Sequence, residues 1–321
     1  MVIRVPRFVS RRVAGIVGVV FLAGACSATS PSTSPSTLSA GLPSAAPGRT
    51  LRIVAGENFW GSIVSQLAGQ KGDVTSVLTD PGADPHNFES SATNARAFAD
   101  ADYVVLNGAG YDAWGNKLLD ANPNPKRKVL TIADLLGKKE GDNPHFWYQP
   151  DYVAQAVDRV TADLKNMDAG DAAYFDAQRA ALNAAFAPQR ARLDAIKSHF
   201  SGTPVASTES IFVYLGDYLG LRVVSPTDFM NAIAEGNDPP APSVARFHDL
   251  LTNKEAKVLV YNRQTSTEVT TNLQNLARGN GIGVVGVTET VVPPGTSFQA
   301  WFGAELLDLQ NALNATVTGG G

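Results

Sequence analysis

The chain of 321 residues carries 26 basic and 30 acidic side chains for a formal net charge of -4, a single cysteine, and 44% apolar against 17% charged residues. That length can bury the cores of two domains without a metal or disulfide staple, and one cysteine excludes an intramolecular disulfide framework and every CxxC zinc or redox motif. The mild acidity argues against a nucleic-acid surface, which needs Lys and Arg concentrated on one face, and the apolar-to-charged balance is globular rather than disordered or polytopic.

The first 26 residues have a composition of their own. Arg4, Arg7, Arg11 and Arg12 precede an apolar run from Val13 to Ala25, and Cys26 follows. Such a run is shorter than the roughly 20 residues a membrane-spanning helix needs. A basic start, a short apolar middle and small residues at the end mark a secretory signal instead. Ala23, Gly24 and Ala25 directly before Cys26 resemble a lipobox, so residues 1–26 are expected to be a lipoprotein signal and Cys26 the lipidated residue. The Arg11-Arg12 pair leaves Sec and twin-arginine export both open. Removing residues 1–25 takes away four arginines and no acid, which moves the net charge from -4 to -8.

Residues 27–49 are almost entirely Ser, Thr, Pro, Ala and Gly, a composition that cannot bury enough apolar surface to order itself. They are expected to tether an anchored domain away from its membrane. From there short β-branched runs alternate with helical patterns. Strands are expected at Leu51 to Ala55, Val74 to Leu78, Tyr103 to Leu106 and Lys128 to Ile132, with helices through Ile63, Val64 and Leu67, at Ala92 to Ala101 and at Ala113 to Leu119. Strands separated by helices of this length imply βαβ units and a parallel sheet.

Asp151 to Leu164 reads as one helix and Asp171 to Phe200 as a second, long one, interrupted only by Pro188, where a kink is expected. The alternation then resumes with strands at Val205 to Ser207, Arg222 to Val224, Val258 to Tyr261 and Gly283 to Val287. Helices are expected from about Ser210 to Leu219, at Ser243 to Thr252, after Ser266, and from Phe298 to Leu313. The organisation expected is therefore a signal at 1–26, a tether at 27–49, an α/β domain at 50–168, a connecting long helix at 169–200 and a second α/β domain at 201–318. The fold class is α/β, two similar domains with parallel sheets joined by one long helix.

Four histidines occur. His86 lies in Asp84-Pro85-His86-Asn87-Phe88-Glu89 and His145 in Asn143-Pro144-His145-Phe146-Trp147, each in a Pro-His turn between elements; His199 and His248 fall in helical stretches and read as surface positions. In open α/β sheets ligands bind outside the carboxyl ends of strands, and imidazole is the commonest transition-metal ligand.

These turns resemble those of the TroA/ZnuA-like family, the metal-binding subunits of bacterial ABC importers for zinc and manganese. The resemblance runs from about Arg52 to Leu313 and takes in both Pro-His turns, the long middle helix, the stretch from Glu209 to Leu215 leading to Leu219-Gly220-Leu221, and Val287-Thr288-Glu289-Thr290. It implies a metal held by His86, His145, Glu209 and Glu289. The family's aspartate at the fourth position is glutamate here, and Glu268 stands in reserve for it. Two neutral imidazoles and two carboxylates cancel a divalent charge, so the filled site can close without net buried charge.

The resemblance also implies a non-enzymatic function: capture of Mn2+ or Zn2+ in the interdomain cleft and delivery to the permease and ATPase of an ABC importer. The protein would be a monomer held by its lipid at the outer face of the cytoplasmic membrane, with no nucleic-acid partner. Two carboxylates and the lack of a histidine-rich loop between His86 and His145 lean towards manganese, while the affinity order favours zinc. The rival readings are an exported metal-dependent hydrolase, for which HExxH, GxSxG and P-loop motifs are all missing, and a binding protein for an organic solute.

Overall fold

The computed structural model describes residues 49–82 and 88–318. The described residues fall in one compact unit, Leu42–Gly321, and no helix among them is long and apolar enough to cross a membrane.

The first half builds a parallel sheet from β1 (Leu51–Glu57), β2 (Gly72–Leu78), β3 (Tyr103–Leu106) and β4 (Lys128–Thr131), in the order β2-β1-β3-β4. β1 and β3 are central and buried almost throughout. That is why they read as continuous runs such as Tyr-Val-Val-Leu instead of alternating. Between the strands lie α1 (Asn58–Ala68), α2 (Ala92–Asp100) and α3 (Ala113–Ala121), and α4 (Ile132–Leu135) follows the last strand. α1 forms because Phe59, Trp60, Ile63, Val64 and Leu67 recur at helical spacing and bury one face. The hydroxyl of Ser91 accepts the Asn94 N–H at 3.2 Å and starts α2.

After α5 (Pro150–Met167) the chain passes through α6 (Ala172–Ala185) and α7 (Ala187–Phe200). The connection expected as one long helix over 169–200 is thus two helices after a 3-10 turn at Ala169–Asp171. Pro188 explains the break at Phe186: it has no N–H for the Ala184 carbonyl, and its ring crowds that carbonyl. The Phe186 N–H turns back on the Ala184 and Leu182 carbonyls and closes α6.

The second half repeats the plan. β5 (Pro204–Ser207), β6 (Arg222–Val223), β7 (Val258–Asn262) and β8 (Gly283–Val287) form a parallel sheet in the order β6-β5-β7-β8. α8 (Val213–Tyr218), α9 (Thr227–Ala234), α10 (Ala241–Thr252), α11 (Glu268–Gly279) and α12 (Phe298–Thr318) surround it. In both sheets the chain reverses its winding at the central pair, β1/β3 and β5/β7, so each sheet has a crevice at the carboxyl ends of those strands.

One apolar core joins the halves. It contains Phe59, Trp60, Phe146 and Trp147 from the first and Phe212, Leu215, Phe298, Trp301 and Phe302 from the second. Trp147 stacks on Phe59 with ring centroids 3.9 Å apart. Polar bridges fix the register of this seam: the Gln66 and Gln299 amides exchange hydrogen bonds at 3.1 and 2.6 Å, and the Asn58 side chain donates to the Val291 carbonyl and accepts its N–H.

Candidate metal centre

His145 is held by a hydrogen-bonded turn. Asn107, just past β3, donates to the Pro144 carbonyl at 2.9 Å and accepts from the Trp60 indole at 3.0 Å. Asn143 donates to the Ser210 carbonyl at 2.8 Å, which points its Oδ1 at His145; that oxygen lies 3.1 Å from the His145 N–H and 2.7 Å from Nδ1. Nδ1 therefore carries a proton, and Nε2 is the ring atom that faces Glu209. Trp147 and Tyr111 pack edge-on against the imidazole.

The opposing side chains come from the second sheet. Glu209 lies two residues past β5 and Glu289 two past β8, and both, like His145, are wholly buried. Glu209 Oε1 is 3.3 Å from His145 Nε2. Its Oε2 accepts from the Asn262 amide at 2.8 Å and from the Thr265 hydroxyl at 2.6 Å. Glu289 Oε1 accepts from the same amide at 2.6 Å, and Oε2 from the Tyr111 hydroxyl at 2.6 Å. Gln264 accepts the backbone N–H groups of Glu289 and Thr290, at 2.7 and 3.0 Å, and so shapes the Glu289 turn. Ligand atoms of His145, Glu209 and Glu289 all lie within 4.8 Å of one another.

Of the sequence-derived set, the structure brings His145, Glu209 and Glu289 together. His86 lies outside the described residues, as does Cys26. Glu268, the reserve for the fourth position, is exposed in the first turn of α11 and is not part of the cluster. His199 and His248 are exposed on α7 and α10. Asn262, Thr265, Tyr111 and Asn143 carry the geometry without having been singled out as site residues. A signal for the first was there, because Asn262 ends a strand as Glu209 and Glu289 nearly do.

The electrostatics are those of a site built for a cation. Burial works to raise the Glu209 carboxyl, but the hydrogen bond and charge of His145, helped by Thr265 and Asn262, bring it below the usual range. Burial, then the facing Glu289, drives the Tyr111 phenol far up, so it stays a donor. Behind it Glu57, at the end of β1, and Asp112 are both buried. Asp112 accepts the N–H groups of Asn107 and Gly108 at 2.6 and 2.8 Å. Burial and the neighbouring Asp112 push Glu57 well above a carboxylate's ordinary value, so the pair keeps a proton. A cavity of about 380 Å3 lined by Tyr111, Asn143, His145, Ser210, Asn231 and Glu235 adjoins the cluster.

A model of the family described as zinc-uptake complex component A, periplasmic (ZnuA), matches residues 53–312. The manganese-binding lipoprotein MntA of Halalkalibacterium halodurans is 28% identical over 131 residues, which is 40% of this chain and 43% of that protein. The chain spans less than half the length of the curated relatives it matches first. Among solved structures, a metal-free periplasmic metal binding protein of Candidatus Liberibacter asiaticus superimposes with a TM-score of 0.67 at 15% identity, covering 83% of this chain and 100% of that one. The Mn2+ complex of FpvC from Pseudomonas aeruginosa gives 0.66 at 19% identity, covering 83% and 99%. At these identities the two structures establish the fold.

Proposed function

Because the chain belongs to the ZnuA family of periplasmic zinc-uptake components, we propose that it captures a divalent transition metal, Zn2+ or Mn2+, and hands it to the permease and ATPase of an ABC importer. The observation that carries this reading is the wholly buried cluster of His145, Glu209 and Glu289, whose ligand atoms lie within 4.8 Å of one another between the carboxyl ends of the two sheets. One imidazole and two carboxylates with no thiolate suit such an ion as cargo. His86, on the connection that follows β2, supplies the fourth ligand and completes a neutral site.

Binding is a cross-link between the halves, since His145 belongs to the first and both glutamates to the second. The shared apolar core keeps the halves together without the ion, so capture and release proceed by modest rocking and rearrangement of loops. The relatives' names speak of manganese-binding and metal-transporter lipoproteins. In keeping with them, residues 1–26 act as an export signal, Cys26 carries the lipid, and residues 27–49 let a monomeric receptor reach its permease from the outer face of the membrane. The protein is a receptor and not an enzyme. No observation favours the hydrolase or the organic-solute reading.

Metal analysis and thermal unfolding of the chelator-stripped chain test the proposal. Zinc or manganese raises the melting temperature of the wild type and leaves His86→Ala and His145→Ala unmoved; identical melting curves with and without metal for the wild type overturn it.

A further inference from the structure

Asn262 is 1% exposed at the carboxyl end of β7. Its Oδ1 accepts the Gln264 N–H at 2.9 Å, which fixes the amide so that Nδ2 faces the two glutamates. Nδ2 has two hydrogens, and both are used: one on Glu209 Oε2 at 2.8 Å, the other on Glu289 Oε1 at 2.6 Å. The Thr265 hydroxyl donates to the same Glu209 Oε2 at 2.6 Å. A carboxylate oxygen has two lone-pair directions, so Oε2 of Glu209 is filled and Oε1 alone is left to face His145 Nε2. The oxygens of Glu289 accept from Asn262 and from Tyr111.

We infer that Asn262, backed by Thr265, is a specificity-determining positioning residue that confines Glu209 to ligation through one oxygen and thereby selects zinc over manganese. The inference rests on the metal-binding reading above. With His145 giving one nitrogen and Glu209 one oxygen, the described residues of the cluster offer three donor atoms, or four if Glu289 chelates. Zinc is satisfied by four and tolerates five, whereas manganese, a harder ion, favours a six-coordinate oxygen-rich shell. A second carboxylate oxygen from Glu209 is the obvious route to that shell, and the amide and the hydroxyl occupy it. A count of carboxylates alone leans the other way; their hydrogen-bond partners reverse the preference. Asn262 acts also before the ion arrives, because a neutral double donor is the group that can hold two buried carboxylates side by side without adding charge.

Competition titration of the stripped full chain with zinc and manganese tests this, together with the visible spectrum of its cobalt complex, whose bands are intense in a four-coordinate site and weak in a six-coordinate one. In Asn262→Ala the ratio of zinc to manganese affinity falls by about 10-fold or more, the scale on which groups supporting a ligand act, and the cobalt bands weaken. Thr265→Val, which keeps shape and removes only the second lock, moves both readouts the same way by less; it decides the matter alone if circular dichroism shows Asn262→Ala unfolded. Wild-type ratio and cobalt spectrum in both variants overturn the inference while leaving the metal-binding function standing. A wild type that binds none of the three ions overturns that function, and the inference with it.

Discussion

Replacing Glu289 by Gln separates the demands of the metal from those of the fold. Glu289 and Glu209 are wholly buried with ligand atoms no more than 4.8 Å apart. At that distance two unit charges repel by about 3.5 kcal/mol for an effective dielectric of 20. His145 and the amide of Asn262 offset part of this, so the net relief expected from Glu289→Gln is about 2 kcal/mol. For a domain this large that corresponds to a rise of roughly 4–8 °C in the metal-free melting temperature. Metal acts in the opposite sense. An ion present at about 1,000 times its dissociation constant stabilises the wild type by about 4 kcal/mol, and the variant, short of one anionic ligand, gains little from it. Scanning calorimetry of both proteins, in chelator and in excess zinc, reads all four values. The expected pattern is a variant more stable than wild type without metal and less stable with it. A variant destabilised in chelator, yet shifted by zinc as far as the wild type, would refute the reasoning.

Other residues make further predictions. The Glu305 carboxyl is pushed up from 4.5 to about 8, chiefly by burial. The Tyr148 hydroxyl lies within hydrogen-bond distance of both the Thr288 carbonyl and Glu305 Oε2, at 2.8 and 2.6 Å, and its one proton cannot serve both, so a proton on Glu305 supplies the second bond. Since the unfolded chain gives up that proton from about pH 4.5 and the folded one only near pH 8, metal-free stability falls as pH rises across that window. Denaturant melts at several pH values should show a flatter profile in Glu305→Gln, and identical slopes would contradict the assignment. Gly108 has φ +80°, and a Cβ there would lie 2.5 Å from the Thr131 side chain and 2.7 Å from that of Ala133. Gly108→Ala should cost at least about 1–3 kcal/mol in urea unfolding from backbone strain alone. Trp147→Ala removes a fully buried ring stacked on Phe59 beside His145; about 3–5 kcal/mol of stability is at stake, and metal affinity should fall as the turn loosens.

The sheets are legible in the sequence because their central strands are buried on both faces, and short β-branched runs such as Tyr103 to Leu106 and Gly283 to Val287 have sharp edges. His145 is legible from its Pro-His turn, whereas Glu209 and Glu289 come only from the family resemblance, although both lie two residues past a strand end, where a parallel sheet presents its ligands. The break at Phe186 is foreshadowed by Pro188, though a kink alone understates it, since the lost Ala184 bond ends one helix and begins another. Helix α9, Thr227–Ala234, has no counterpart among the elements read from the sequence. Phe229, Met230 and Ile233 form its buried face, but between Pro226 and the Pro239-Pro240 pair the pattern is too short to stand out from a loop. Asn262, Thr265 and Tyr111 escape for a chemical reason. An amide, a hydroxyl and a phenol are not metal ligands by type, and their part comes only from which oxygen of which carboxylate each one occupies.

The most direct test of the account is titration of the chelator-stripped wild type and His145→Ala with zinc, counting ions bound per chain. The account predicts one ion per wild-type chain and an affinity at least about 100-fold weaker in His145→Ala, beyond the 10- to 100-fold usual for a merely supporting residue. An ion bound equally well by both proteins, or by neither, would contradict it.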